Sequence, residues 1–288
     1  LDIVAAVDVP PADNSAMDGY ALAVPPQPPP WTLSVSQTVA AGTPPLPLQT
    51  GTAARIFTGA EIPQGANAVV LQEECERRGD QVIVTVAAQT GDNVRPRGQD
   101  IQRGQTIVRR GEKLTALHLG LLASCGVNRV EVVRRPRVAL LSSGSELVEP
   151  GHALAAGQIY NSNLYMLRGL LQDWGCELIA QQCVADDLES TRSALQQAAD
   201  NGDLLISTGG VSVGDADHLK AAITSLGELA LWKVNMKPGK PLAFGRIGAT
   251  ETPILALPGN PVSAFTTAAI FVKPFIEALL GRPYRELC

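Results

Sequence analysis

From Arg137 onward the chain alternates short apolar runs with runs of helical period, and this alternation constrains the fold more than any other feature. RVALLSSG, ELIAQQCV and DLLISTGG read as strands. Between them, SNLYMLRGLLQDWG puts Leu164, Leu167, Leu171 and Trp174 on one stripe, and LESTRSALQQAA reads as a second helix. LALWKVN, PLAFGRI and PILALPG are further strands, and NPVSAFTTAAIFVKPFIEALLG closes the chain as a long helix that Pro274 kinks or divides. Such alternation predicts an α/β domain with an open, mostly parallel sheet and right-handed crossovers. Ligands of such sheets bind beyond the C-terminal ends of the strands, so the polar residues there are the ones to examine.

Four loops qualify. Leu204, Leu205 and Ile206 form a buried strand that runs into Ser207, Thr208, Gly209, Gly210 and Ser212, then Asp215 and Asp217. HLKAAITSLG follows as a helix stopped by Gly227. Bare amides and a helix N-terminus favour an anion such as phosphate. Two carboxylates beside it imply a divalent cation or acid–base chemistry; the plain alternative is an Asp217 cap and a Gly209-Gly210 turn. The other loops carry Glu146 in SSGSE, Asp186-Asp187, and Pro258-Gly259-Asn260-Pro261. Each has a structural reading too: an exposed turn, a helix cap with Glu189 three residues on, and a turn with Pro261 near a helix start. All four on one edge is harder to assign to coincidence. Lys233, Lys237 and Lys240, in WKVNMKPGKP, supply point charges for an oxyanion, or are a solvated loop.

Residues 1–104 form a proline- and glycine-rich β domain, a barrel or a sandwich, with strands in WTLSVSQTVAAG, AARIFTG, NAVVLQEEC and DQVIVTVAA. Pro25 to Pro30 is a linker or edge loop. In residues 105–135, a linker region, TALHLGLLASCG is a helix capped at Gly126, and VNRVEVVRRP a strand. The α/β domain takes residues 136–284. Arg95, Arg97 and Asp100 in NVRPRGQD make a charged cluster or a surface turn. The net charge of −5 gives no nucleic-acid footprint. No stretch approaches the apolar length of a membrane span. Five scattered cysteines and three histidines, with no C-x-x-C, argue against zinc and for reduced thiols in a cytoplasmic protein. The sequence opens at Leu1 as an interior segment would.

PPADNSAMDGYA, RIFTGAEIPQGANAVV, VRPRGQDI, SSGSEL, GQIYNSN, STGGVSVGDAD, KPGKPLAFG and LPGNPVS occur in this order. From Leu1 to about Arg282 the chain closely resembles the MoeA molybdopterin molybdenumtransferases, a family that includes the E domain of gephyrin. The resemblance implies insertion of molybdenum from molybdate into adenylylated molybdopterin, with release of AMP and with Mg2+ as the cation. It implies a cytoplasmic homodimer whose active cleft is shared between the α/β domain of one subunit and the β-rich domain of the other, with the molybdopterin adenylyltransferase as a candidate partner. It places functional acids at Asp18, Glu146, Asp186 and Asp217; from the residues themselves, two carboxylates beside an anion site, Asp186 and Asp217 are the expected metal holders. Other cleft positions that the resemblance implies are Thr58, Arg95, Lys233, Lys237, Lys240, Pro258 and Pro261; the loop reading adds Ser207, Gly209, Gly210, Ser212, Gly259 and Asn260 as expected substrate contacts. The family's further C-terminal β domain is expected to be absent from this sequence.

Two alternatives compete. A non-catalytic scaffold of the same fold would have an eroded acid set, and here Asp18, Glu146, Asp186 and Asp217 all stand. A molybdopterin adenylyltransferase would resemble the α/β domain only, which the β-rich first part of this chain opposes.

Overall fold

The computed structural model describes residues 1–210, 218–238 and 240–282. The chain divides into two compact units, Leu1–Val130 and Glu131–Cys288.

In the first unit, strands β1 (Gly19–Leu22), β2 (Trp31–Val39), β3 (Thr52–Ile56), β4 (Ala68–Leu71), β5 (Cys75–Arg78) and β6 (Gln81–Val84) form one sheet in the order β4-β1-β3-β2-β6-β5. Only β2 and β3 pair in parallel. Both faces are buried. Tyr20, Leu22, Ala53 and Val70 pack with Trp31, Val82 and Val84 on one side; Ala21, Ala54, Ile56 and Val69 pack on the other. The period of two assigns neighbours in each strand to opposite cores. β1 reads poorly in the sequence because all four of its residues are buried, leaving no polar alternation to see. Helix α1 (Ala116–Ser124) forms as expected, and Gly126 adopts the left-handed conformation of a C-terminal cap, with φ of 75°.

Val127 to Pro136 is not a strand, which corrects the sequence expectation. Its alternating valines find no ladder partner among the described residues, and Val132 and Val133 are exposed. A single extended segment without a partner leaves its backbone groups to water.

The second unit runs β7 (Arg137–Ser143), α2 (Ser162–Asp173), β8 (Glu177–Val184), α3 (Leu188–Asn201), β9 (Leu204–Thr208), α4 (His218–Leu226), β10 (Gly227–Trp232), β11 (Ala243–Ile247), β12 (Thr252–Leu257), α5 (Pro261–Thr267), a π-helical segment Ala268–Val272 and α6 (Lys273–Leu279). The sheet order is β8-β7-β9-β12-β11-β10. β8, β7, β9 and β12 pair in parallel. β11 is antiparallel to both its neighbours, so β10 points the same way as the parallel four. Gly227, expected as a helix stop, is the first residue of β10.

Helices cover both faces. Leu195 of α3 and Ile223 of α4 pack on Ala139, Leu141 and Leu205. Leu167 of α2 and Ile276 of α6 pack on Val138, Leu140, Leu204 and Ile206. Leu204, Leu205 and Ile206 are fully buried, and each such side chain contributes roughly 1.5–3 kcal/mol by leaving water.

The closing helix is divided as its proline suggests, with Pro274 in the first turn of α6 after the π-helical segment. Pro261–Leu279 is also long and apolar enough to cross a membrane by length and composition, which corrects the expectation that no stretch approaches that length. One face of it, through Ala264, Ala268, Val272 and Ile276, is buried, and Ala268, Val272 and Ile276 belong to the core beneath the sheet.

Candidate functional site

The strand that follows β7 lies on one side of it, and the parallel strand that follows β9 lies on the other. The order therefore reverses between β7 and β9, where open sheets leave a crevice for ligands. The loops leaving these strands touch. Gly209 has φ of 83°, and a Cβ on it would lie 2.2 Å from the carbonyl oxygen of Ser143. Gly210, with φ of 68°, is left-handed as well. The loop after β12 joins them: a Cβ on Gly259 would lie 3.7 Å from the α-carbon of Gly209. At Gly209 only glycine allows this approach, and it leaves backbone without a side chain where a ligand would sit.

Two asparagines at the start of α2 tie the loops together. Asn161 caps the helix, and its Nδ2 donates to Ser142 Oγ at 2.8 Å. Asn163 Nδ2 donates to Thr208 Oγ1 at 3.0 Å and to the Gly259 carbonyl at 2.8 Å. Thr208 Oγ1 donates onward to the Pro258 carbonyl at 3.0 Å. In the sequence Thr208 reads as a hydroxyl of the glycine-rich loop, whereas Asn161 and Asn163 do not stand out as site residues. The signal was there as GQIYNSN, polar residues at a helix start, but nothing local says that they are buried. Ser207, expected as a contact, is buried within β9, one position short of the loop.

The acids divide by role. Asp187, not Asp186, caps α3: its carboxylate accepts from the Ser190 amide at 2.8 Å, which holds it below the usual carboxylate range. That leaves Asp186 exposed, with Ser143 Oγ donating to it at a long 3.5 Å. Glu146 is exposed and curls over Gly144, where a Cβ would lie 2.6 Å from its Oε2. Ser212, Asp215 and Asp217 lie outside the described residues. Among the described residues no group of three or more His, Cys, Asp or Glu is arranged to hold a metal. Asp186 and Ser143 together are hard oxygen donors of the kind Mg2+ takes, usually through one or two carboxylates.

Asn260 caps α5, its Oδ1 accepting from the Ser263 amide, and Pro261 begins that helix. Lys233, with φ of 71°, directly follows β10 and so stands on the same sheet edge as the loops after β7, β8, β9 and β12. Three strand spacings separate β9 from β10, about 14 Å across the sheet. Lys237 and Lys240 follow in the same stretch and are exposed. A cavity of about 110 Å³ opens at this edge, with Glu146, Tyr160, Asn163, Thr208, Gly209 and Gly259 in its wall.

Within the first unit, Asp18 and Thr58 meet. Asp18 Oδ1 accepts from both the Thr58 amide and the Thr58 hydroxyl, at 2.7 Å each, and these bonds hold its carboxyl below the usual range. Arg95 pairs with Asp100 at 2.7 Å, and Arg97 with Asp8 at 2.6 Å. Burial pushes the thiols of Cys75 and Cys176 up to about 11, so neither is a ready thiolate.

Residues 1–126 match the family described as "MoeA N-terminal region (domain I and II)", and residues 139–278 match the one described as "Probable molybdopterin binding domain". The fold and its sheet edge thus define an α/β domain of the molybdopterin-binding class preceded by a MoeA-type N-terminal region. The molybdopterin molybdenumtransferase of Haemophilus influenzae is 40% identical over 286 residues, which cover 98% of this chain and 70% of that protein. Molybdopterin molybdenumtransferase 2 of Mycobacterium tuberculosis is 39% identical over 98% of this chain and 72% of its own length. The crystal structure of the MoeA molybdopterin biosynthesis protein from Pyrococcus horikosii superposes with a TM-score of 0.83 at 36% identity, covering 98% of this chain and 72% of that one. The chain belongs to the molybdopterin molybdenumtransferase family.

Proposed function

We infer that this chain is a transferase of molybdenum cofactor biosynthesis that inserts molybdenum from molybdate into adenylylated molybdopterin and releases AMP. The observation that carries this reading is the switch point, where Gly209, Ser143 and Gly259 bring three loops of bare backbone together under the acids Glu146 and Asp186. Backbone without Cβ suits a phosphoanhydride, which the protein has to grip closely and keep in line. Lys233, Lys237 and Lys240 are the cations for its charge, or for molybdate. Asp186, with Ser143 beside it and Asp217 following in sequence, would hold Mg2+, which when bound neutralises charge on the phosphates. Asp18, Thr58 and Arg95 belong to the same cleft contributed across a homodimer, and the protein is cytoplasmic. The match of residues 1–126 to a MoeA region favours this reading over an adenylyltransferase.

The test is AMP release from adenylylated molybdopterin by the purified protein, with molybdate supplied or withheld. Molybdate-dependent release supports the assignment. No release in either arm, with the substrate bound, points to a scaffold instead.

A further inference from the structure

The side chain of Asn163 is used on one side only. Its Nδ2 faces the Gly259 carbonyl, which can only accept, and Thr208 Oγ1, whose own hydrogen goes to Pro258. That pattern fixes the amide orientation, because an oxygen in the Nδ2 position would face one carbonyl and leave Thr208 without a donor. Asn163 Oδ1 is then left over. It is buried, has no hydrogen-bond partner, and belongs to a residue only 8% exposed. A buried acceptor left unmade is a standing cost to the fold, and native proteins rarely keep one without a use. Asn163 lines the cavity of about 110 Å³ at the sheet edge, many times the space that one water requires. The wall beside it includes Ile159, Tyr160, Gly209 and Gly259, with Glu146, Asn161 and Ser162. A wall of mixed apolar and polar groups, Glu146 among them, with a buried unpaired acceptor beside it suits the edge of a flat heterocycle that carries a hydrogen-bond donor.

We propose that Asn163 Oδ1 is a specificity contact that accepts a hydrogen bond from the exocyclic amino group of a flat nitrogen heterocycle bound in this cavity. The inference deepens the proposed function, since adenylylated molybdopterin carries two such rings, the pterin and the adenine. Each has an exocyclic amine, and the amine is the donor that they share. A site whose acceptor is fixed by three internal hydrogen bonds rejects a ring that lacks the amine, because the oxygen would stay buried and unpaired.

Calorimetry on the purified protein tests this with AMP and with pterin as separate ligands. In N163L, which removes the acceptor at similar volume, the affinity for one of the two is expected to fall about tenfold or more, the scale of one buried hydrogen bond left unmade. The ligand that loses affinity identifies the ring that occupies the cavity. N163L also loses the bonds to Thr208 and Gly259, so the wild-type protein provides the second arm. There, purine riboside 5′-monophosphate in place of AMP, or lumazine in place of pterin, should show the same loss for the ring identified. Wild-type affinity of N163L for both ligands, failure of both to bind the wild-type protein, or indifference to removal of both amines overturns the proposal. Amine-dependent binding without molybdenum insertion would refute the function and leave this contact standing. Insertion by N163L with an unchanged KM would refute the contact and leave the function.

Discussion

Gly209 stands so close to β7 that a Cβ on it would lie 2.2 Å from the Ser143 carbonyl oxygen, and its φ of 83° already excludes most other residues. Gly259 touches the same loop without either constraint, since its Cβ would meet only the Gly209 α-carbon, at 3.7 Å. The two glycines should therefore separate in a thermal melt. Gly209→Ala is expected to cost roughly 3 kcal/mol from the left-handed backbone and the carbonyl clash, a fall of roughly 6–12 °C for a chain of this size. Gly259→Ala should melt within about 2 °C of the wild type. Equal melting temperatures would mean that the β7–β9 junction is looser than described. Gly210→Val places a β-branched residue at φ of 68° and should cost about 1–3 kcal/mol as well as ligand affinity.

Asp18 and Thr58 give a pH prediction. Two hydrogen bonds from Thr58 hold the Asp18 carboxyl below its ordinary value. A carboxylate depressed in the folded state stabilises the fold above its unfolded pKa, and that contribution is lost as pH falls through the folded value. Asp8, Asp187 and Asp203 are depressed in the same direction, through Arg103 and Arg97, Ser190, and Arg134 respectively. Acid unfolding should therefore set in only below the ordinary carboxylate range. In Thr58→Val, which keeps the amide donor and removes the hydroxyl, the Asp18 carboxyl should titrate at higher pH when followed by NMR. An unmoved titration would show that the hydroxyl does not bond to it.

How much of this was legible beforehand depends on whether the determinant is local. The parallel strands and their helices show in the sequence because each carries its own period, as in Leu164, Leu167 and Leu171. The polar loops at the strand ends follow from topology alone. β1 was hidden because burial on both faces erases the alternation, and Val127 to Pro136 misled because a strand pattern has no meaning without a partner strand. The Asn161 and Asn163 links were invisible for a related reason. Their partners Ser142, Thr208 and Gly259 are distant in sequence and are brought together only by the sheet. Asp186 and Asp187 formed an ambiguous pair, and the structure assigns the cap to Asp187.

Of the adjacent pair, Asp187 is committed to the cap, so Asp186 is the one proposed to meet a cation. Asp186→Asn should raise the magnesium concentration for half-maximal AMP release about tenfold or more, with thermal stability unchanged. Asp187→Asn should do the reverse, costing about 0.5–1 kcal/mol of stability at the cap and leaving the magnesium titration where it was. An unaltered magnesium titration in Asp186→Asn would remove it from the metal.

The proposed sharing of the cleft across a homodimer predicts complementation. In a twofold dimer whose clefts each take Asp18 from one subunit and Asp217 from the other, Asp18→Asn and Asp217→Asn homodimers have every cleft damaged. A mixed dimer collects both changes in one cleft and neither in the other, so about half its sites should work. Co-refolding the two inactive proteins should restore molybdenum insertion. Mixed dimers, verified by mass spectrometry, that remain inactive would assign both residues to one subunit's cleft.

The central claim, that the loops meeting at Gly209 and Ser143 serve molybdenum insertion, is tested most directly by stoichiometry. Adenylylated molybdopterin and molybdate are incubated with the wild-type protein, and the molybdenum bound to pterin is counted against AMP released. The account predicts one molybdenum per AMP, with neither formed when molybdate is withheld. AMP released in full without molybdate, or molybdenum bound with the adenylate still attached, would contradict it.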